Sequence, residues 1–247
     1  MLLWPWRCTT LTSVAGNANV QSRFIRTNFT LVIFSALTLL FDGIPHTGPV
    51  NMAIDEVLVR TTSTPLLRVY RWLDNSVSFG YFGEYRAVAE RWPRRPLVRR
   101  WTGGGEVPHG DDFTYTIIVP RNDAFSRVTV RESYRRIHEI LSRVIPHTSL
   151  AESDAAAANA ACFARPVVAD VMKDGMKIAG AAQRRGTFGL LHQGSLQGTT
   201  WPDTLPEDLA AALASSWNRE DPAPDLLEQA TDLARKKYAT EEWLKRR

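Results

Sequence analysis

Two stretches of this 247-residue chain carry side chains whose types and spacing could do chemistry. One is "RRWTGGGEVPH", Arg99 to His109, in which three consecutive glycines follow two arginines. Glycines in a row weaken any helix or strand that holds them. They also let a ligand lie against the peptide plane, with backbone N–H groups turned to an anionic or carbonyl oxygen. Arg99 and Arg100 add permanent charge suited to a carboxylate or phosphate. The other stretch is "MKIAGAAQ", which sets Lys177 among small residues. Strand alternation would give Lys177 the same face as Ala179, Ala181 and Gln183, leaving room for a ligand beside the amine. A lysine buried there needs a partner, and its pKa would tend to fall. Cys162 stands fifteen positions earlier, in "AACFARP". It is either a buried structural thiol or a nucleophile, and a nucleophile would need access and a cation beside its thiolate, for which Lys177 is the candidate. Taken one at a time, the glycines also fit a plain turn and Lys177 also fits a solvated hairpin tip.

Several chemistries are excluded. No GxxxxGK[ST] phosphate loop follows Gly103, and Pro108 occupies the third glycine position of a dinucleotide fingerprint. HExxH, spaced Cys/His sets and the GxSxG elbow are absent. His109 with Asp111 and Asp112 reads as a solvated turn, so no metal site is expected. Cys8 and Cys162 are the only cysteines, which builds no disulfide framework and suits a reducing cytoplasm. The net charge of +4 comes mostly from arginines scattered along the chain. That pattern does not point to a nucleic acid and is compatible with an acidic protein partner.

The elements that must position these residues follow from periodicity and punctuation. Residues 1–36 read as a poorly ordered extension. "FTLVIFSALTLLF" is thirteen residues, too short to span a bilayer, and its second half, Leu37–Phe41, reads as the first core strand. Asn51 is placed to cap a helix carrying Ile54, Val57 and Leu58. Leu66–Trp72, Val77–Tyr81, Leu97–Arg100 and Thr114–Val119 read as strands. Thr129 with Glu132 forms a capping box for a helix that Pro146 ends. Three antiparallel strands, near 167–173, 176–184 and 188–196, are joined by turns at Asp174-Gly175 and Arg185-Gly186. Beyond Trp201 the expectation is helices only: Pro206–Trp217, Asp225–Lys237 and a turn near Trp243. Strands joined by turns, with helices between groups of strands, predict an α+β fold with a mixed, mostly antiparallel sheet.

The motifs "NMAIDEVLV", "RRWTGGGEVPH", "DDFTYTIIVP" and "KIAGAAQRR" followed by "LLHQGSL" together resemble the biotin/lipoate protein ligase and lipoyl/octanoyl transferase catalytic domain, in the family's order and spacing. The resemblance covers roughly Leu39 to Leu196. It implies a class II aminoacyl-tRNA synthetase/biotin synthetase-like fold, with a catalytic domain over residues 37–200 and a C-terminal helical segment over 201–247. It implies that Cys162 and Lys177 are catalytic, with Lys177 polarising the acyl carbonyl. It also implies an acyl-binding set of Arg99, Arg100, Gly103, Gly104, Gly105, Val107, His109, Ala179, Gly180, His192 and Gly194. The "CF" pair before the lysine matches octanoyltransferases that take octanoyl from acyl carrier protein onto a cysteine, without a cofactor. The acceptor would be a lysine on an acidic lipoyl carrier domain, of the E2 type or a glycine-cleavage H protein. The alternatives are an ATP- and Mg²⁺-dependent lipoate ligase, to whose pattern Asp170 also conforms, and a non-catalytic acyl-binding relative. Biotin is disfavoured because a GRGR-type loop is absent. No membrane or nucleic-acid partner is expected, and the expected compartment is the cytoplasm.

Overall fold

The computed structural model describes residues 32–154 and 165–246. Its frame is an eight-stranded mixed sheet. Strand β1 (Phe34–His46) pairs in parallel with β2 (Leu66–Trp72), and β2 runs antiparallel to β6 (Phe113–Pro120). Beyond it come β10 (Gly189–Leu196), β9 (Met176–Gly186), β8 (Val171–Lys173) and β7 (Ser149–Leu150), every neighbour antiparallel. A second, three-stranded sheet joins β3 (Val77–Phe79) to β4 (Leu97–Arg99) in parallel and to β5 (Glu106–Pro108) antiparallel. The expectation of an α+β fold with a mixed, mostly antiparallel sheet holds.

Alternation along β6 assigns the two faces. Phe113, Tyr115, Ile117 and Val119 pack with α3 (Val130–Val144) and α4 (Leu205–Leu213). Thr114, Thr116 and Ile118 turn to the other face, where α1 (Gly48–Thr61), α5 (Pro224–Leu233) and α6 (Glu241–Lys245) supply the core. Helix α3 begins as its sequence implies, with the Thr129 hydroxyl accepting the Glu132 N–H.

Three expectations are corrected. Strand β1 starts at Phe34 and continues to His46, longer at both ends than Leu37–Phe41. Asn51 does not cap α1, which starts after Thr47 with a proline in its first turn. Asn51 is fully buried in that helix, and its amide donates to the His46 and Arg71 carbonyls. The C-terminal region is not helical throughout. After Leu213 the sequence "ASSWNRE" loses helical apolar spacing and forms β11 (Ala214–Glu220), which adds in parallel to the free edge of β1. An edge with unpaired backbone groups gains ladder hydrogen bonds from such an addition, which outweighs the short-range helical preference of alanine.

One buried ion cluster ties the layers. The Arg68 guanidinium on β2, fully buried, donates to Asp42 of β1 at 2.6 Å and to Asp55 of α1 at 2.8 Å. It also reaches the Asn51 carbonyl and side-chain oxygens. Asp55 in turn accepts from Thr116 of β6 and Gln193 of β10. Removing the arginine would leave two aspartates buried without their cation. Arg68→Met is expected to lower the unfolding free energy by about 3–5 kcal/mol in urea titrations. A loss below about 1 kcal/mol would show that the cluster adds no net stability.

Candidate active site

A cleft lies between the main sheet and the segment joining β4 to β5, and the glycines form its lid. Gly104 has φ +81°, a left-handed conformation that favours glycine, and a Cβ there would come within 3.2 Å of the Ala182 methyl. The loop crosses β3 so closely that a Cβ on Gly80 would fall 2.0 Å from the Gly104 carbonyl oxygen. The Arg100 side chain fastens it from inside, donating to the carbonyls of Gly103 and Gly105 at 3.0 and 2.8 Å and to Ser78 Oγ at 2.8 Å. Thr102 hydrogen-bonds Gln193 on β10, closing the loop against the sheet.

The cleft wall beyond Arg100 is a single hydrogen-bonded chain. Because Arg100 donates to Ser78 Oγ, the serine proton is free to point at His109 Nε2, 2.7 Å away. His109 Nδ1–H then donates to Asp112 at 2.8 Å. Thr114 and Ser195 hydroxyls also donate to that carboxylate. The ring of Trp72 stacks on His109 with centroids 3.7 Å apart, and its indole N–H donates to Thr114. Burial pushes the His109 pKa down against the pull of Asp112, so the imidazole is neutral. Burial would raise the Asp112 pKa, but the electrostatic pull of His109 and the hydrogen bonds from His109, Thr114 and Ser195 outweigh it and hold Asp112 below the usual carboxylate range. Asp112 is thus an organising anion within the wall and not part of a solvated turn.

Lys177 lies on the opposite side of the cleft. Its ammonium pairs with Asp170 at 2.8 Å, the carboxylate being fully buried and the lysine side chain 9% exposed. Asp170 also accepts the Tyr134 hydroxyl at 2.5 Å and the Val167 N–H at 2.7 Å. The simple alternation expected for this strand does not hold. The β8–β9 register slips between Val171, opposite Ala179, and Met172, opposite Lys177. This β-bulge turns both Ile178 and Ala179 into the core, so Lys177 shares its face with Gly180 and not with Ala179. Gly180 leaves the space that Lys177 fills, since a Cβ there would meet Lys177 Cε at 2.5 Å.

The residues singled out from sequence therefore separate. Arg100, Gly104, Gly105, Val107, His109, Lys177, Gly180 and Gly194 line the cleft. Gly103 stands next to it as a carbonyl acceptor for Arg100. Arg99, Ala179 and His192 do not reach it. Arg99 alternates to the other side of β4 and donates to the carbonyls of Tyr81, Gly83, Trp243, Leu244 and Arg246, pinning α6 to the Gly80–Gly83 turn. Ala179 belongs to the core, and His192 is fully buried on the face carrying α3. Cys162 lies outside the described residues. Sequence reasoning missed Ser78, Tyr134 and Gln193 as parts of the site. Only the Asp174-Gly175 turn, which folds Asp170 back toward Lys177, offered a signal for that partnership.

A cleft with a glycine lid, a polar wall and one anchored ammonium can hold a chain with a carbonyl group at the lysine, an arrangement suited to acyl transfer. Solved structures with the same fold include lipoate-protein ligase A bound with ATP (22% identity, TM-score 0.64) and a protein of T. acidophilum with bound lipoic acid (21%, TM-score 0.67). Each covers 86% of this chain and 99% of the other. The family model of the lipoyl protein ligase A/B catalytic domain matches residues 47–221, and the chain belongs to that family. Curated relatives include Octanoyltransferase LipM of Kyrpidia tusciae, 33% identical over 193 residues and 68% of each chain. Octanoyltransferase LipM of Oceanobacillus iheyensis is 30% identical over 170 residues, 63% of this chain and 62% of that protein. The match spans about three fifths to two thirds of the length of these relatives.

Behind the sheet, burial pushes the His138 pKa down to about 4 from 6.5, although the Ala169 carbonyl accepts its Nδ1–H at 2.7 Å. The unfolded chain takes up a proton between these values that the folded protein refuses. Stability is therefore lost as pH falls from 6.5 towards 4, by about 3 kcal/mol in all from this residue. His109 and His192, also depressed, act in the same direction. Denaturant titrations at pH 7, 5.5 and 4 should give a steeper decline for wild type than for His138→Leu. Equal slopes would mean that His138 titrates normally in the fold.

Proposed function

We propose that this chain is an octanoyltransferase that moves an octanoyl group from acyl carrier protein to a lysine of a lipoyl carrier domain, through a thioester on Cys162. In the first step the Cys162 thiolate attacks the donor thioester carbonyl, and the carrier thiol leaves as it takes up a proton. In the second, the acceptor amine attacks the enzyme thioester, an amide forms, the amine gives up a proton and Cys162 leaves as thiolate. The cleft under the glycine lid holds the alkyl chain, and Lys177 faces the carbonyl oxygen, on which negative charge grows in both steps. No cofactor is required, because the donor is already a thioester. The partners are an acidic lipoyl domain and an acyl carrier protein, to which the chain offers a net charge of +4.

The observation that carries this reading is the Lys177–Asp170 pair, an ammonium fixed at the cleft wall by a carboxylate with no exposure of its own. The relatives named Octanoyltransferase LipM support the same reaction class. The bi-partite lipoate protein ligase of Thermoplasma acidophilum, solved in a study with its E2 lipoyl domain, supports the acceptor class. Among the described residues no helix is long and apolar enough to cross a membrane.

Incubation with octanoyl-acyl carrier protein without ATP should give wild type a hydroxylamine-sensitive octanoyl adduct by intact-protein mass spectrometry, and Cys162→Ser none. Modification of a lipoyl domain only with lipoate and Mg-ATP, and no adduct, would make the protein a ligase and Cys162 structural. Binding of octanoate with neither reaction would leave a non-catalytic acyl-binding protein. Gly180→Ala, which crowds the Lys177 ammonium, should retain the fold by circular dichroism and lower kcat for transfer by about 10²–10³-fold, the range for loss of one oxyanion-type contact. Unchanged turnover would separate Lys177 from the chemistry.

A further inference from the structure

On the sheet face turned away from the cleft, Tyr115 of β6, His138 of α3 and His192 of β10 are fully buried. Among the described residues one polar atom of each has no hydrogen-bond partner: Tyr115 Oη, His138 Nε2 and His192 Nε2. The three side chains form one cluster. The two imidazoles stand perpendicular with centroids 5.7 Å apart, and the Tyr115 ring lies 5.9 Å from that of His192. Buried polar groups in native proteins are nearly always satisfied, so three such atoms on neighbouring rings point to a common partner.

The surrounding hydrogen bonds fix what that partner must be. His138 Nδ1 faces the Ala169 carbonyl, which can only accept, so the proton sits on Nδ1 and Nε2 presents a lone pair. Gln183 turns its oxygen to the Ser133 hydroxyl and the Arg185 guanidinium, leaving its amide N–H to donate to His192 Nδ1 at 3.0 Å. Burial and the neighbouring His138 and Arg185 keep His192 neutral, so its one proton sits on Nε2. The cluster therefore offers one N–H donor, one bare nitrogen and one hydroxyl able to play either part.

We propose that a single buried water occupies this site, accepting from His192 Nε2–H, donating to His138 Nε2 and forming its third bond with the Tyr115 hydroxyl. Three bonds is the usual complement of an internal water. A metal ion does not suit the same atoms, because the proton on His192 Nε2 blocks its lone pair and only one unprotonated nitrogen remains. The site backs Tyr134, whose ring lies 4.1 Å from that of His138 and whose hydroxyl donates to Asp170. It thus packs behind the tyrosine that holds Asp170, and its presence does not depend on which reaction the cleft performs.

Two measurements on the full chain test the proposal. A crystal structure fine enough to place ordered waters should show one water-sized peak within about 3.2 Å of all three atoms. Long-range proton–nitrogen correlation spectra near pH 7 should show opposite tautomers, Nδ1–H for His138 and Nε2–H for His192. Ordered side chains around empty density, a direct bond between the rings, or an anomalous metal peak would overturn it. So would an Nδ1–H tautomer for His192.

Discussion

The arrangement of the site depends on one buried cation answering two buried anions. Arg68 is the point at which β1, α1 and β2 meet, through Asp42, Asp55 and Asn51. Asp55 extends the cluster to β6 and β10 through Thr116 and Gln193. Gln193 is the hinge between this framework and the site, since its amide N–H donates to Asp55 while its oxygen accepts from Thr102 beside the glycines. Burying such a set costs a large desolvation penalty, and the return is geometric. Each group has its partners in only one relative placement of helix and strands, so the floor of the cleft is held in register with its lid.

The lid is held by a division of labour between adjacent arginines. Alternation sends Arg100 into the cleft, where it gathers the loop carbonyls and orders the Ser78–His109–Asp112 wall. Arg99 goes the other way and binds backbone carbonyls of the Gly80–Gly83 turn and the C-terminal helix. Trp243 returns a hydrogen bond from its indole to the Arg99 carbonyl. Carbonyls at a helix C-terminus are partly negative, so a guanidinium is a suitable cap there. The last turn of the chain thereby becomes a brace for the loop that covers the cleft.

Elements whose signals are local were legible in the sequence. Leu66–Trp72 is the observed β2, and the turn at Asp174-Gly175 announced the β8–β9 hairpin, whereas the turn into β10 falls at Thr187-Phe188 because Arg185 and Gly186, expected to form it, are still paired in β9. The cleft glycines and Arg100 were readable only with the other motifs beside them, since a triple glycine alone also fits a plain turn and the neighbouring Arg99 points away from the cleft. What sequence did not reveal depends on non-local partners. Asn51 looks like a cap until Arg68 and the His46 carbonyl surround it. The segment after Leu213 becomes a strand because β1 offers an edge, and no feature of "ASSWNRE" announces it. His192 carries the family pattern yet faces away from the cleft, because only the sheet's register says which side of β10 is covered by the loop.

Lys177 joins these levels. A lysine in a regular strand at this position would follow Ala179 into the core. The bulge at Ile178 and Ala179 puts two consecutive apolar residues inward and returns Lys177 to the cleft. Gly180 then has to lack a side chain so that the lysine can cross it, and Asp170 has to lie within reach to receive the charge. Asp170 is held by Tyr134, and Tyr134 packs against His138 and His192 on the far face. The ammonium at the cleft is therefore positioned through the sheet by groups that never touch the cleft. A charged amine can stay nearly buried there because its carboxylate partner is itself held by the Tyr134 hydroxyl and the Val167 N–H.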